Sequence, residues 1–181
     1  MSNYTETLTA LAKSLGADNC GSTDVEKVSF RREFRDACAA NLCGKYGTCW
    51  MCPPDVGDID EMISRAKKYS HVFVFQTIGQ LEDSFDIEGM GEAGVRHNKI
   101  VEAIAGEARK ILTGPLVLGA GACHICERCT KPDDMPCRFP ARALPSLESY
   151  GIAVSELAAV CGLKYINGTN TVTYFGGILY A

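Results

Sequence analysis

The chain has 181 residues, of which 46% are hydrophobic and 22% charged, and its formal net charge at pH 7 is -4. This length suits one domain, and the composition is that of a globular protein, which excludes a disordered, collagen-like or coiled-coil chain. The negative charge argues against nucleic acid and anionic membranes as partners, and no apolar run is long enough for a transmembrane helix.

The first part of the chain predicts two amphipathic helices and a strand. An opening helix that ends at Gly16 has one apolar face, formed by Tyr4, Leu8, Leu11 and Leu15. Asp58 is a suitable N-cap for a second helix, whose apolar stripe comprises Ile59, Met62, Ile63, Ala66 and Tyr69. The β-branched and aromatic run from His71 to Thr77 predicts a buried strand.

The second part of the chain alternates helices with strands. A long helix is predicted from about Glu92 to Leu112, with an inward face formed by Ile100, Val101, Ile104, Ala108, Ile111 and Leu112. The later predicted elements are a strand at 115–119, a short helix at 152–160 that ends at Gly162, and closing strands at 171–175 and 178–180. We therefore expect a single α/β domain over residues 1–181, with a mixed sheet and cysteine-rich, cluster-binding loops at strand ends.

The sequence contains ten cysteines, and they dominate its chemistry. The N-terminal segment lacks a basic start followed by a long apolar run, so we expect no secretory signal and a cytoplasmic, reducing location. In that compartment, cysteines favour metal binding or redox chemistry over disulfides. Eight of them form a first cysteine group and a second cysteine group, which are respectively Cys38, Cys43, Cys49 and Cys52, and Cys123, Cys126, Cys129 and Cys137.

The second cysteine group has the spacing of an iron-sulfur site. Cys123, Cys126 and Cys129 follow one another with two residues between them, and Cys137 comes farther along. Such a segment can wrap three corners of a [4Fe-4S] cubane, in which each cysteine binds its own iron. Zinc remains the alternative, although its four ligands must converge on one ion and usually come as two separate Cys-x2-Cys pairs.

The first cysteine group is less diagnostic, but four thiols within fifteen residues still suffice for a complete site. Cys49 and Cys52 could instead be a thioredoxin-like redox pair, which needs its attacking cysteine at a helix N-terminus. Pro53 and Pro54 argue against that, because the residue before a proline is pushed out of the helical region. A proline directly after a ligand cysteine is instead typical of bacterial cluster loops.

Five segments of the chain resemble a known family, the predicted metal-binding proteins found chiefly in anaerobic bacteria and archaea. These segments are 43–54, 119–129, 137–140, 145–151 and 168–176. The resemblance spans nearly the whole chain and implies metal binding of the iron-sulfur type. It implies as ligands Cys38, Cys43, Cys52, Cys123, Cys126, Cys129 and Cys137.

Cys49 is the variable ligand position in this resemblance, since the family pattern allows another polar residue there. Without Cys49 as a ligand, the first cluster would have an open iron, which would favour catalysis over electron transfer.

Five further features of the sequence have simpler interpretations. Residues 89–94 fit the dinucleotide pattern G-x-G-x-x-G, but acidic neighbours and the distance from the preceding strand favour a flexible glycine loop before the long helix. We expect Trp50 to shield a cluster from water and Arg138 to stabilise its negative charge. We expect His124 to lie at the surface, and Cys161 to be a buried thiol outside the site.

These observations predict an iron-sulfur protein with two [4Fe-4S] clusters, one per cysteine group. The leading hypothesis is electron transfer, or electron supply to an oxygen-sensitive enzyme through a redox partner protein. One alternative is an enzyme that uses an open cluster iron on a small substrate, and another is a structural zinc protein acting through interactions. The sequence names neither the reaction nor the partner.

Overall fold

The structure is a computed structural model that describes residues 3–181. Its helices are α1 (Asn3–Ser14), α2 (Phe34–Ala39), α3 (Ile59–Ala66), α4 (Ile87–Ile111) and α5 (Val154–Val160). Its strands are β1 (Asn19–Asp24), β2 (His71–Gln80), β3 (Leu116–Leu118) and β4 (Thr171–Tyr180). The expected single α/β domain is confirmed, and no helix in residues 3–181 is long and apolar enough to cross a membrane.

The four strands form one sheet in the order β1-β2-β4-β3, and all three strand pairs are antiparallel. The expected mixed sheet is therefore corrected to an antiparallel one, and the parallel bridge between Gly119 and Ser146 lies outside the named strands. β2 and β3 both run antiparallel to β4, so they are parallel to each other and α4 is the crossover between them. The helix-strand alternation predicted an α/β domain, but neither this crossover nor the insertion of β4 between the two parallel strands.

Helices or loops cover both faces of the sheet, which explains why β2 is a continuous apolar run. Phe73 and Phe75 point to one face, where α1 and α4 supply Leu8 and Ile104 among other core residues. The alternate residues of β2 point to the other face and pack against α5 and the segment before it. Period-two alternation along β2 thus feeds two apolar cores, one on each side of the sheet.

The long helix starts earlier than the sequence predicts, because Asp86 caps it and its side chain accepts a hydrogen bond from the Gly89 N–H at 2.8 Å. The expected flexible glycine loop at 89–94 is wrong, since these residues are helical. Close packing between α4 and the sheet explains two of the glycines in this region. Gly94 faces the Tyr174 ring, and a Cβ on Gly79 of β2 would come within 2.5 Å of Ala93. Glycines here let α4 approach the sheet.

The two predicted closing strands are one continuous strand, β4, which runs through Gly176 and Gly177. Gly176 pairs with Phe75 of β2, and the Phe75 ring lies where a Cβ on Gly176 would stand. The glycine therefore makes room for an aromatic ring from the neighbouring strand. Strand β1 and helix α2 are not predicted from the sequence, and α2 contains Cys38.

Candidate metal centre

The first cysteine group begins on a helix and continues through turns. Cys38 lies in α2, Cys43 is exposed, and Cys49 and Cys52 are buried. A hydrogen bond from the Cys52 N–H to the Cys49 carbonyl, 2.9 Å long, closes the tight turn between the last two. Residues after Cys52 form turns up to 56, and α3 begins only at Ile59, as the proline pair predicts.

The second cysteine group lies on the loop that follows β3, and all four of its thiols are partly buried. Side chains within the loop fix its path. Thr130 donates to the Pro136 carbonyl at 2.9 Å, and Arg138 donates to the Arg128 carbonyl at 2.9 Å. Arg138, expected to stabilise a cluster's charge, therefore also ties the end of the loop to its middle.

The loops that carry the two groups are held together by Trp50, Asp55 and Lys131. The Trp50 indole N–H donates to the Met135 carbonyl at 3.0 Å, so the first loop holds the second. In the other direction, Lys131 forms a 2.7 Å ion pair with Asp55 and lies 4.4 Å from the centre of the Trp50 ring. The two cysteine groups, distant in sequence, thus lie in one region of the molecule.

Cys49 lies with the second cysteine group and not only with its own. Its side chain and the four thiols of the second group line one cavity of about 20 Å³. Trp50 and Phe139 also line this cavity, so the expected shielding role of Trp50 has a structural basis. The sequence placed Cys49 only among the ligands of the first group, because spacing alone cannot show a contact across loops.

The two groups meet at the pair of thiols formed by Cys49 and Cys52. Hydrogen bonding from the Cys52 thiol lowers the pKa of Cys49 to about 5, and contacts with the Cys123 N–H and the Cys129 thiol contribute. The same hydrogen bond, together with burial, raises the pKa of Cys52. Cys49 therefore faces the second group, while Cys52 stands at the boundary between the groups.

The remaining thiols of the first group interact with Cys52 and with each other. The charges of Cys43 and Cys38 both raise the pKa of Cys52, and the charge of Cys43 also raises the pKa of Cys38. Burial raises the pKa of Cys38, while the Arg35 guanidinium opposes this rise. The charge of Glu148 also raises the pKa of Cys38. The Glu148 side chain is in contact with solvent, but desolvation by the surrounding protein raises the pKa of its own carboxyl. Neither Arg35 nor Glu148 is marked by a motif in the sequence, because both lie outside the cysteine spacing.

A larger cleft of about 260 Å³ lies between α4 and the start of the second loop. Cys123 and Cys126 line it from the loop, and Lys99 and Glu102 line it from α4. His124 also lines this cleft and is exposed, as expected. Partial burial, followed by the Lys45 charge, lowers the pKa of its imidazole. The cleft is open to solvent, so solvent can reach two of the predicted ligands, Cys123 and Cys126.

Cys20 and Cys161 lie outside both cysteine groups; this was expected of Cys161, which is partly and not fully buried. They are half-buried and pack against the cores on opposite faces of the sheet, and burial raises the pKa of each to about 11. Within residues 3–181, no three or more His, Cys, Asp or Glu side chains are arranged closely enough to hold one metal ion directly. The eight grouped cysteines remain the predicted ligands.

A family model described as "Predicted metal-binding protein (DUF2284)" covers residues 22–180, which confirms the family resemblance seen in the cysteine motifs. No curated protein and no solved structure matches the chain.

Proposed function

This chain belongs to that family of predicted metal-binding proteins, and we propose that it is an iron-sulfur protein that binds two [4Fe-4S] clusters and transfers electrons. The observation that carries the proposal is the meeting of the two cysteine groups, whose loops are joined by Trp50 and Lys131. The eight thiols in this region are twice the number of ligands that one zinc ion binds, and they equal the number of cysteine ligands that two cubanes need.

The donor set fits iron-sulfur clusters chemically, because thiolates are soft ligands and each cubane iron takes one of them. The cavity shared by Cys49 and the second group is smaller than a cluster, so these side chains must turn outward when one binds. A bound cluster supplies reversible one-electron chemistry. The chain holds the ligands, and Trp50 and Phe139 exclude water from them.

The contact between the groups supports electron transfer between two centres. Cys49 and Cys52 are neighbouring thiols that belong to adjoining sets, so the ligand sets abut. At the rim of this region Leu42, Met135 and Phe139 are exposed apolar side chains. Arg138 adds positive charge there, while Arg128 is paired with Asp133. This rim is the face we assign to a redox partner protein, in a reducing, cytoplasmic setting.

The test is metal and sulfide analysis of protein purified without oxygen. We expect roughly eight irons and eight sulfides per chain, four of each per cubane, and a reversible one-electron reduction seen by electron paramagnetic resonance. Cys52→Ser and Cys126→Ser should each lower the iron content, while Cys161→Ser, outside the site, serves as the matched control. Iron-sulfur centres that stay redox-silent over the accessible range would overturn the electron-transfer role.

A structural zinc protein is the second candidate, and the volume of the cavity favours it. A space of about 20 Å³ is that of about one water molecule, so a single ion would displace the side chains less than a cluster would. Its thiol lining also suits zinc. Zinc without acid-labile sulfide in the same analysis would establish this candidate and remove the iron-sulfur proposal.

A further inference from the structure

The cleft between α4 and the loop that follows β3 has the dimensions of a small-molecule site. One wall is a face of α4 with helical spacing, formed by Val95, Asn98, Lys99 and Glu102. Loop residues between 119 and 127 form the opposite wall, and the buried side chains of Val101 and Leu144 add apolar surface. Its volume of about 260 Å³ is that of about nine water molecules, so it suits a small molecule and not a polymer.

The cleft presents charges of opposite sign from its two walls. Glu102 is paired with Arg142, so its charge is already compensated within the protein. Lys99 on α4 and Glu127 on the loop are exposed, and neither takes part in an ion pair within residues 3–181. The cleft thus offers a positive charge from one wall and a negative charge from the other to a ligand that carries both.

Hydrogen-bond donors also line the cleft. Asn98 is half-buried there, and its side-chain amide makes no hydrogen bond within the described residues 3–181. Ala120 and Ala122 line the loop wall, and in the same part of the chain their N–H groups find no acceptor. Donors without a protein partner are available to a ligand, and together with the Lys99 ammonium they favour a carboxylate.

We propose that this cleft binds a small α-amino acid with an aliphatic side chain. Lys99 and the neighbouring donors hold the carboxylate, and Glu127 accepts hydrogen bonds from the ammonium group. The aliphatic side chain packs against Val101 and Leu144. Each part of such a ligand therefore meets a matching part of the cleft, which neither a simple anion nor a simple amine does.

This inference goes beyond the proposed function, because the cleft is formed by side chains and backbone of the protein and needs no cluster to bind its ligand. Cys123 and Cys126 also line the cleft, so the amino acid lies against two thiols of the second cysteine group. The site is thus a binding site beside the candidate metal centre and separate from the small cavity that Cys49 shares with the second group.

The test is calorimetric titration of the metal-loaded protein, kept without oxygen, with L-norvaline. Pentanoate and butylamine are the matched probes, because each keeps the aliphatic chain and lacks one of the two charged groups. We expect norvaline to bind with a dissociation constant of about 1 mM, and each single-charge probe to bind at least about tenfold more weakly. No measurable binding of norvaline, or a single-charge probe that binds as tightly, would overturn the inference.

Variants assign the binding to the cleft. Lys99→Met and Glu127→Gln preserve the approximate size of each side chain and remove its charge, so each should weaken norvaline binding about tenfold. Lys110→Met is the matched control, because Lys110 is exposed on the same helix and lies outside the cleft. Wild-type affinity in Lys99→Met or in Glu127→Gln contradicts the inference.

Iron and sulfide analysis of the same samples separates this inference from the proposed function. Protein that contains neither iron nor sulfide but still binds norvaline would overturn the proposed function and leave the amino-acid site standing. Protein with both clusters and no affinity for norvaline would do the reverse.

Discussion

Burial of His97 predicts that the protein loses stability in mild acid. His97 lies on α4 with no exposed surface, and its Nδ1 is 2.8 Å from the Thr77 hydroxyl. The centres of the Phe75 and Tyr174 rings lie 6.2 and 5.6 Å from the centre of its imidazole. Burial lowers its pKa from 6.5 to about 4, and the Arg96 charge adds to this. The folded protein therefore keeps this imidazole neutral where the unfolded chain protonates it.

The direction and size of the effect follow from proton linkage. As the pH falls below 6.5 the unfolded chain takes up a proton that the folded chain refuses until about pH 4, so stability falls in this window. Between about pH 7 and about pH 5 the two pKa values give a loss of about 2 kcal/mol in the free energy of unfolding.

Urea unfolding of wild type and His97→Gln, both loaded with metal and kept without oxygen, measures this contribution. Glutamine keeps a hydrogen-bonding partner for Thr77 but does not titrate, so the variant should lose about 2 kcal/mol less than wild type over the same pH change. At low pH protons also compete with the metal for the thiolates, but this loss of stability is the same in wild type and variant and cancels in their difference. Equal losses in the two chains, to within about 0.5 kcal/mol, would show that His97 is not held neutral by burial.

Three other predictions concern packing and the metal centre. Gly176→Ala drives a Cβ into the Phe75 ring and should lower the free energy of unfolding in urea by about 1–3 kcal/mol. Gly106→Ala, with open space around it, should instead stabilise α4 by about 0.5–1 kcal/mol. Trp50→Phe removes the hydrogen bond to Met135 and should speed bleaching of the metal chromophore in air; an unchanged rate would refute the shielding role. Removing the metal with a chelator after oxidation should make both cysteine loops more sensitive to protease, and equal cleavage with and without metal would contradict metal-held loops.

Local signals in the sequence predicted several elements correctly. Asp58 caps α3, where its side chain accepts hydrogen bonds from the N–H groups of Asp60 and Glu61 at 2.8 and 3.4 Å. Gly162 follows the end of α5 with a positive φ of 70°. Such features depend on a few neighbouring residues, so a cap or a helical period identifies them without knowledge of the rest of the chain.

Elements fixed by distant partners were missed or misplaced. β1 is a short polar segment with no apolar alternation, and it is a strand because it pairs with β2 along its whole length. The glycine-rich start of α4 predicted a loop, since the contact of Gly94 with Tyr174 of the sheet cannot be read from neighbouring residues. Strand propensity and glycine content are weak signals when tertiary contacts decide the conformation.

The same distinction between local signals and tertiary contacts applies to the candidate metal centre. The sequence by itself determined that eight cysteines form two groups and that the second has the spacing of a cubane, because ligand spacing is a local property of the chain. Only the tertiary structure decided that the groups meet and that Cys49 faces the second one, because those contacts cross between loops. Spacing thus assigns Cys49 to the first group alone, whereas the fold also places it against the second group.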